Sequence, residues 1–290
     1  MAELYLKVAA SGLLIGTVYA LIAIGLTIIF GVMRVVNFAH GEMVVMGMYL
    51  GYALWTLFAI PAIPAALIAA VVLFGLGVFL QVTVVSRFVG RPQHSQFILF
   101  IAFALVITGL HLMLMGPDAR SIMAPISFET YSVGGLRLDA ARVQAAATAL
   151  VMILALIAFL RFTFIGRAIR AAADNPLGAE VVGIRSGRVY AITAGIGLAC
   201  AGAAGALVSP LFDAQPFLAP EFTLLAFIIV IIGGLGSLTG ALVGGLLIGV
   251  AEGFAALLIN PAMKSMFSYG VLIAVLLFRP AGLFGGKEAR

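Results

Sequence analysis

From Phe222 to Ile259 the chain runs for 38 residues with one charged side chain, Glu252. As a single helix rising 1.5 Å per residue this block would extend roughly 57 Å, against a hydrocarbon core only about 30 Å thick. It must fold back or break. The cluster Gly233-Gly234-Leu235-Gly236-Ser237 marks the break, because adjacent glycines weaken a helix and leave backbone groups uncovered. Further apolar runs predict helices over 8–30, 43–60, 63–86, 97–115, 143–162, 189–210 and 265–278. With 64% hydrophobic and 9% charged residues, 290 residues have too little polar surface to coat a soluble globule. A membrane β-barrel would need short alternating strands rather than continuous runs. The expected fold is therefore all-α, a polytopic helical membrane protein of about 8–10 membrane segments, some broken or re-entrant. Residues 1–290 are read as one transmembrane domain.

The net charge of +5 is no sign of nucleic-acid binding, since the basic residues sit at the ends of apolar spans and form no dense run. They report topology in the lipid instead. If the loop at about 164–188 is cytoplasmic, nine crossings place Arg34, Arg87, Arg91, Arg161, Arg167, Arg170, Arg185, Arg188, Arg279, Lys287 and Arg290 inside, and Lys7, Arg120, Arg137, Arg142 and Lys264 outside. That bias predicts an outer N-terminus and a cytoplasmic C-terminus. The loop at about 116–142 is then an external cap. The run from Val8 to Phe30 is too long for a signal-peptide core and reads as a retained first helix. Cys200, the single cysteine, lies in a Gly/Ala-rich run and reads as a packing residue.

The loop Gly166-Arg167-Ala168-Ile169-Arg170-Ala171-Ala172-Ala173-Asp174-Asn175-Pro176 is polar and helix-prone within an apolar chain. Arg167 to Ala173 favour a helix, Asn175 caps a second short helix with Pro176 at its first position, and Gly183 suits a left-handed stop. Such a loop is built to dock on a cytoplasmic partner. As a competing reading, it is only a charged connector that anchors topology.

Polar groups at membrane depth are costly. Asn37, His40 and Glu42 interrupt the course between the first two spans, and a carboxylate such as Glu252 costs about 2.5–3.5 kcal/mol at a helix centre on insertion scales. Two readings stand for these four residues. They line or brace a solute path, or they form a hydrogen-bonded knot that fixes helix ends. Gly236, Gly240 and Gly244, followed by Gly245, Gly249 and Gly253, make flat faces for close helix packing. The break at Gly233, Gly234, Gly236 and Ser237 differs, because unwound backbone at membrane depth is tolerated only within protein or beside water, which makes these residues candidates for the solute path or its bracing. A leucine at Gly234 or Gly236 is expected to do more damage than an alanine at Gly245. No phosphate-binding loop, no catalytic constellation and no metal-ligand spacing of His40, His94 and His111 is present, so neither a catalytic residue nor a metal or cofactor is assigned to this chain.

The chain resembles the permease subunits of branched-chain amino-acid ABC importers, specifically the shorter of the two homologous permeases. The residues that carry the resemblance span nearly its whole length: Gly16-Thr17-Val18-Tyr19-Ala20-Leu21, Asn37 to Glu42, Gly166 to Ala171 with Asp174-Asn175-Pro176 and Gly183-Ile184, Ala201 to Gly205, Gly233 to Ser237, Gly249 to Glu252, and Arg279 to Gly285. The resemblance implies a bacterial inner-membrane permease working with two cytoplasmic ATPase subunits that bind ATP and Mg, a second homologous permease, and a periplasmic solute-binding protein. The permease pair is a heterodimer or a homodimer. It also implies that Gly166, Arg167, Arg170, Ala171, Asp174, Asn175, Pro176 and Gly183 couple to the ATPase. The leading glutamate of the coupling loop of other importers is absent, and Ala171-Ala172-Ala173 stand there. Close relatives carry urea, short amides or other carboxylates. Outside the family, the alternative is an ion-coupled secondary transporter with His40, Glu42 and Glu252 as its relay.

Overall fold

A computed structural model describes residues 1–133, 135–260 and 263–285. Lys287 and Arg290, which enter the topology bias, lie outside the described residues. The apolar runs form α1 (Ala2–Met33), α2 (His40–Phe58), α3 (Ala62–Thr83), α4 (Gln93–Met115) and α5 (Ala140–Phe162). Two shorter helices follow, α6 (Phe164–Asp174) and α7 (Pro176–Val181), before α8 (Ser186–Val208), α9 (Ala219–Gly233), α10 (Leu238–Leu258) and α11 (Lys264–Phe278). Seven of the described helices are long and apolar enough to cross a membrane. The polytopic helical class stands, with α2 and α11 as two further apolar helices. At 32 residues α1 is roughly 48 Å long, so its first turns, exposed through Lys7, outrun the hydrocarbon.

The long apolar block divides at its glycines. α9 stops at Gly233, Gly234 and Gly236 take positive φ of 100° and 84°, and Ser237 caps α10 by accepting from Gly240 N at 3.0 Å. The C-terminal residues close over this break, with Leu283 N donating to Ile232 O at 2.8 Å and Phe284 N to Gly233 O at 3.1 Å. Two carbonyls left over at the end of α9 are thereby satisfied at the point where the helix ends.

The fold is centred on α1 and α8. Val18 to Ile24 of α1 and Ala201 to Val208 of α8 are buried without interruption. α10 lies along one side of α1, and α2 and α3 lie along α8. Small residues permit these approaches: a Cβ built on Gly245 would lie 2.7 Å from the backbone of Ala20, and one on Gly249 2.5 Å from Gly16 Cα. This corrects the expectation that a methyl at Gly245 is cheap. Its neighbour is helix backbone, which cannot yield as a flexible side chain would; Gly234 is equally tight, a Cβ there lying 2.5 Å from Gly285 N, and at Gly236 the space is open to Gly31 Cα at 3.6 Å but the positive φ strains any side chain.

The connections sort onto two faces. On one, the α4–α5 and α8–α9 connections are tied by paired bonds between Arg120 and Ala214 at 2.8 and 2.9 Å and by Ser121 Oγ to Asp213 at 2.6 Å. That face also carries an antiparallel hairpin, β1 (Thr130–Val133) with β2 (Leu136–Asp139), a small β element in the otherwise helical chain. On the other face, α6 shares a cavity with Arg34 and Gly236.

Candidate functional site: a short helix pair and two buried polar clusters

The α5–α8 connection folds as its local sequence predicts. Thr163 caps α6 by accepting from Gly166 N at 3.0 Å, and Asn175 caps α7 by accepting from Gly178 N at 2.9 Å, with Pro176 in the first turn. Gly183 takes φ 87°, and Ile184 N returns to Ala179 O at 3.0 Å. Gly166 is required sterically, because a Cβ there would lie 2.5 Å from Leu160 Cα. The two arginines turn back toward α5: Arg170 Nη1 donates to Leu160 O and Arg167 Nη1 donates to Phe162 O at 3.4 Å. These are free carbonyls at the end of a helix, where cations are favoured. What the pair presents outward is α7 and its flanks, with Asp174, Asn175, Pro176 and Glu180 exposed and Leu177, Val181 and Val182 exposed to 77%, 87% and 75%. Ala171 is half-buried.

The turn before α2 reaches membrane depth. His40 Nε2 donates to Ile22 O at 3.0 Å, and Ile22 lies 11 residues before the end of α1, about 16 Å along its axis. Residues 34–39 therefore climb back beside α1, and α2 starts within the bundle. Asn37 Oδ1 accepts from Ala39 N at 3.0 Å and tightens the turn. Thr223 of α9 accepts from Gly41 N at 2.9 Å, giving one of the unpaired donors at the start of α2 a partner. Asn37, His40 and Gly41 thus brace this helix start. Glu42 is buried at 4% exposure, and its Oε2 has no hydrogen-bond partner.

Glu252 belongs to a different cluster. Tyr19 OH donates to its Oε2 at 3.2 Å and Ser268 Oγ to its Oε1 at 2.8 Å, so α1, α10 and α11 meet at one carboxylate. No hydrogen bond joins this cluster to His40 or Glu42 among the described residues. The glycine break stands apart from both: Gly236 and Leu235 open onto a cavity of about 260 Å³ shared with Arg34, Arg170 and Asp174, while Gly233 and Gly234 are buried. The structure thus brings the break together with α6 and keeps the intramembrane acids apart.

Sequence reasoning gave no role to Tyr19, Thr223 or Ser268. Each is a hydroxyl in an apolar span, and such a group needs a partner when buried. That was the available signal, but the partner lies on another helix and cannot be read locally.

Residues 8–276 match the family described as the branched-chain amino acid transport system permease component. The high-affinity branched-chain amino acid transport system permease protein BraD of Pseudomonas aeruginosa is 30% identical over 297 residues, 98% of this chain and 97% of that protein. The corresponding protein LivH of Escherichia coli is 30% identical over 306 residues, 98% of this chain and 96% of its own length. A probable branched-chain amino acid transport permease protein of Methanocaldococcus jannaschii is 26% identical over 285 residues, 91% of this chain and 88% of that protein. No solved structure matches the chain.

Proposed function

Since the chain belongs to the branched-chain amino acid transport permease family, we propose that it forms the translocation path of an ATP-driven importer for branched-chain amino acids. The observation that carries this reading is the family match, which runs through the membrane spans together with the α6–α7 pair. The permease works with ATPase subunits and a solute-binding protein. In the proposed assembly there are two ATPases, which hold ATP and Mg, and a second, homologous permease completes the path. The chain sits in the bacterial inner membrane with its C-terminus and the α6–α7 pair in the cytoplasm. Urea or a short amide is the alternative cargo within the family.

The coupling surface is the outward side of α7 and its flanks. Leu177, Val181 and Val182 are apolar and exposed beyond the last membrane helix turn, where a groove on an ATPase would cover them. Arg167 and Arg170 contribute by holding α6 on the end of α5, so that α7 transmits movement of the ATPase to the spans. Asp174, Asn175, Pro176 and Gly183 set the angle between the two helices. Cysteines placed at Leu177 and Val181 are expected to cross-link to the ATPase subunit, with a yield that changes when ATP is added. Cysteines at Phe97 or Leu105, exposed on α4, serve as controls. Equal labelling of α4 and α7 positions by the ATPase would contradict the docking assignment.

A further inference from the structure

Building on the importer reading, we propose that the cavity around Glu252 is a solute-binding site inside the permease, suited to a small zwitterion with an ammonium, a carboxylate and a branched apolar body. The cavity has a volume of about 150 Å³ and lies where α1, α9, α10 and α11 meet. Its polar side includes Tyr19, Glu221, Glu252, Lys264 and Ser268, and its apolar side includes Phe212, Phe222 and Leu225. A neighbouring lobe of about 350 Å³ shares Tyr19, Glu252 and Lys264 and adds Lys7 and Arg142.

Two observations point to a ligand of both charges. First, the cavity is lined by two carboxylates and an ammonium that make no direct ion pair: the ion pair found among the described residues is Arg142 with Asp139 at 3.9 Å, and it involves none of Glu221, Glu252 and Lys264. Charged groups of both signs that line one small space without closing on each other match a molecule that brings the complementary pair. Second, Glu252 is 9% exposed, and each of its oxygens receives a single hydroxyl hydrogen bond. A carboxylate has about four acceptor positions, so roughly two remain for a donor in the cavity that it lines. Tyr19 and Ser268 hold the carboxylate in place, and the ammonium of the solute completes its shell. Lys264 lies half-buried at the start of α11 and meets the solute carboxylate. The aromatic and aliphatic wall takes the branched side chain. A zwitterionic phospholipid headgroup shares the charge pattern, but a space of this size beside Phe212 and Phe222 has no room for a pair of acyl chains.

The test uses the complete transporter in nanodiscs of phosphatidylglycerol, with the external binding protein left out, and measures equilibrium binding of radiolabelled leucine. The wild type is expected to bind leucine, with 4-methylpentanoate and 3-methylbutylamine competing at least about tenfold less well, since each lacks one charged contact. Glu252→Gln and Lys264→Met should each weaken leucine binding by about tenfold or more. Lys264 makes no side-chain contact with Glu252 in the hydrogen-bonded cluster, so Lys264→Met keeps the test decisive if Glu252→Gln fails to assemble. Unchanged leucine binding by assembled Lys264→Met overturns the proposal. So does equal competition by the two singly charged analogues, or native mass spectra in which phosphatidylethanolamine is retained by the wild type and lost from Glu252→Gln. ATP-driven leucine uptake with the binding protein restored separates the two levels: uptake without these binding effects removes the site and leaves the importer, whereas absence of uptake removes both.

Discussion

At the scale of single residues, the polar groups in the apolar spans divide by what they touch. Asn37 and His40 spend their hydrogen bonds on backbone, at Ala39 N and Ile22 O, and so set the position at which α2 begins. Glu252 is held by side chains from two other helices, and Glu42 keeps one oxygen without a partner. Tyr19→Phe removes a hydrogen bond to a buried acid while keeping the ring, and bonds to charged groups contribute about 1.5–3 kcal/mol. The variant is expected to insert normally and to unfold at a lower temperature in detergent, by an amount that Ser268→Ala matches. Melting temperatures identical to wild type in both would show that Glu252 does not depend on these donors. Arg170 shows how a residue legible in sequence acquires a second meaning. Its position in a polar, helix-prone loop was readable, but its bond to Leu160 O was not, because the loop's return onto α5 is a tertiary event.

At the scale of elements, local signals were legible and long-range ones were not. The cap at Asn175, Pro176 at the first turn of α7 and the left-handed Gly183 follow from side-chain and φ preferences within a few residues. The break in the long block was legible for a different reason, since its length alone forbids one crossing. The closure of that break by Leu283 and Phe284 was hidden, because the bonds join residues some 50 positions apart in the chain through backbone groups that carry no sequence mark. The hairpin of β1 and β2 was also missed, although Thr-Tyr-Ser-Val and Leu-Arg-Leu-Asp flank a glycine pair of the kind that closes two-residue turns. The contact of α1 with α10 supplies the prediction at this scale. Gly245→Ala puts a methyl against the backbone of Ala20, and overpacking of this kind costs typically about 1–3 kcal/mol. Thermal unfolding in nanodiscs should show that loss, while Gly187→Ala, which meets open space within α8, should be neutral or stabilising. Equal stability of the two variants would mean that α1 and α10 do not approach as closely as described.

For the whole molecule, the chain separates a helix pair at one face from an acid-centred cavity on the far side of the bundle, with α1 and α10 running between them. In the importer reading that separation is the design: energy enters at α6–α7, and the solute is handled toward the opposite end of the bundle. The polytopic helical class and the family were legible, because hydropathy and several motif blocks extend along the whole chain. The pairing of Glu252 with Tyr19 and Ser268, and its separation from His40 and Glu42, required the fold. Among the described residues no hydrogen bond joins His40 or Glu42 to Glu252. The most direct measurement is uptake of radiolabelled leucine into proteoliposomes that hold the permease with its ATPases, a second permease and the binding protein. ATP on the side of the ATPases should drive uptake in the absence of any ion gradient, and omission of the ATPases should abolish it. Leucine accumulation by the permease alone, driven by an imposed proton or sodium gradient and indifferent to ATP, would contradict the account.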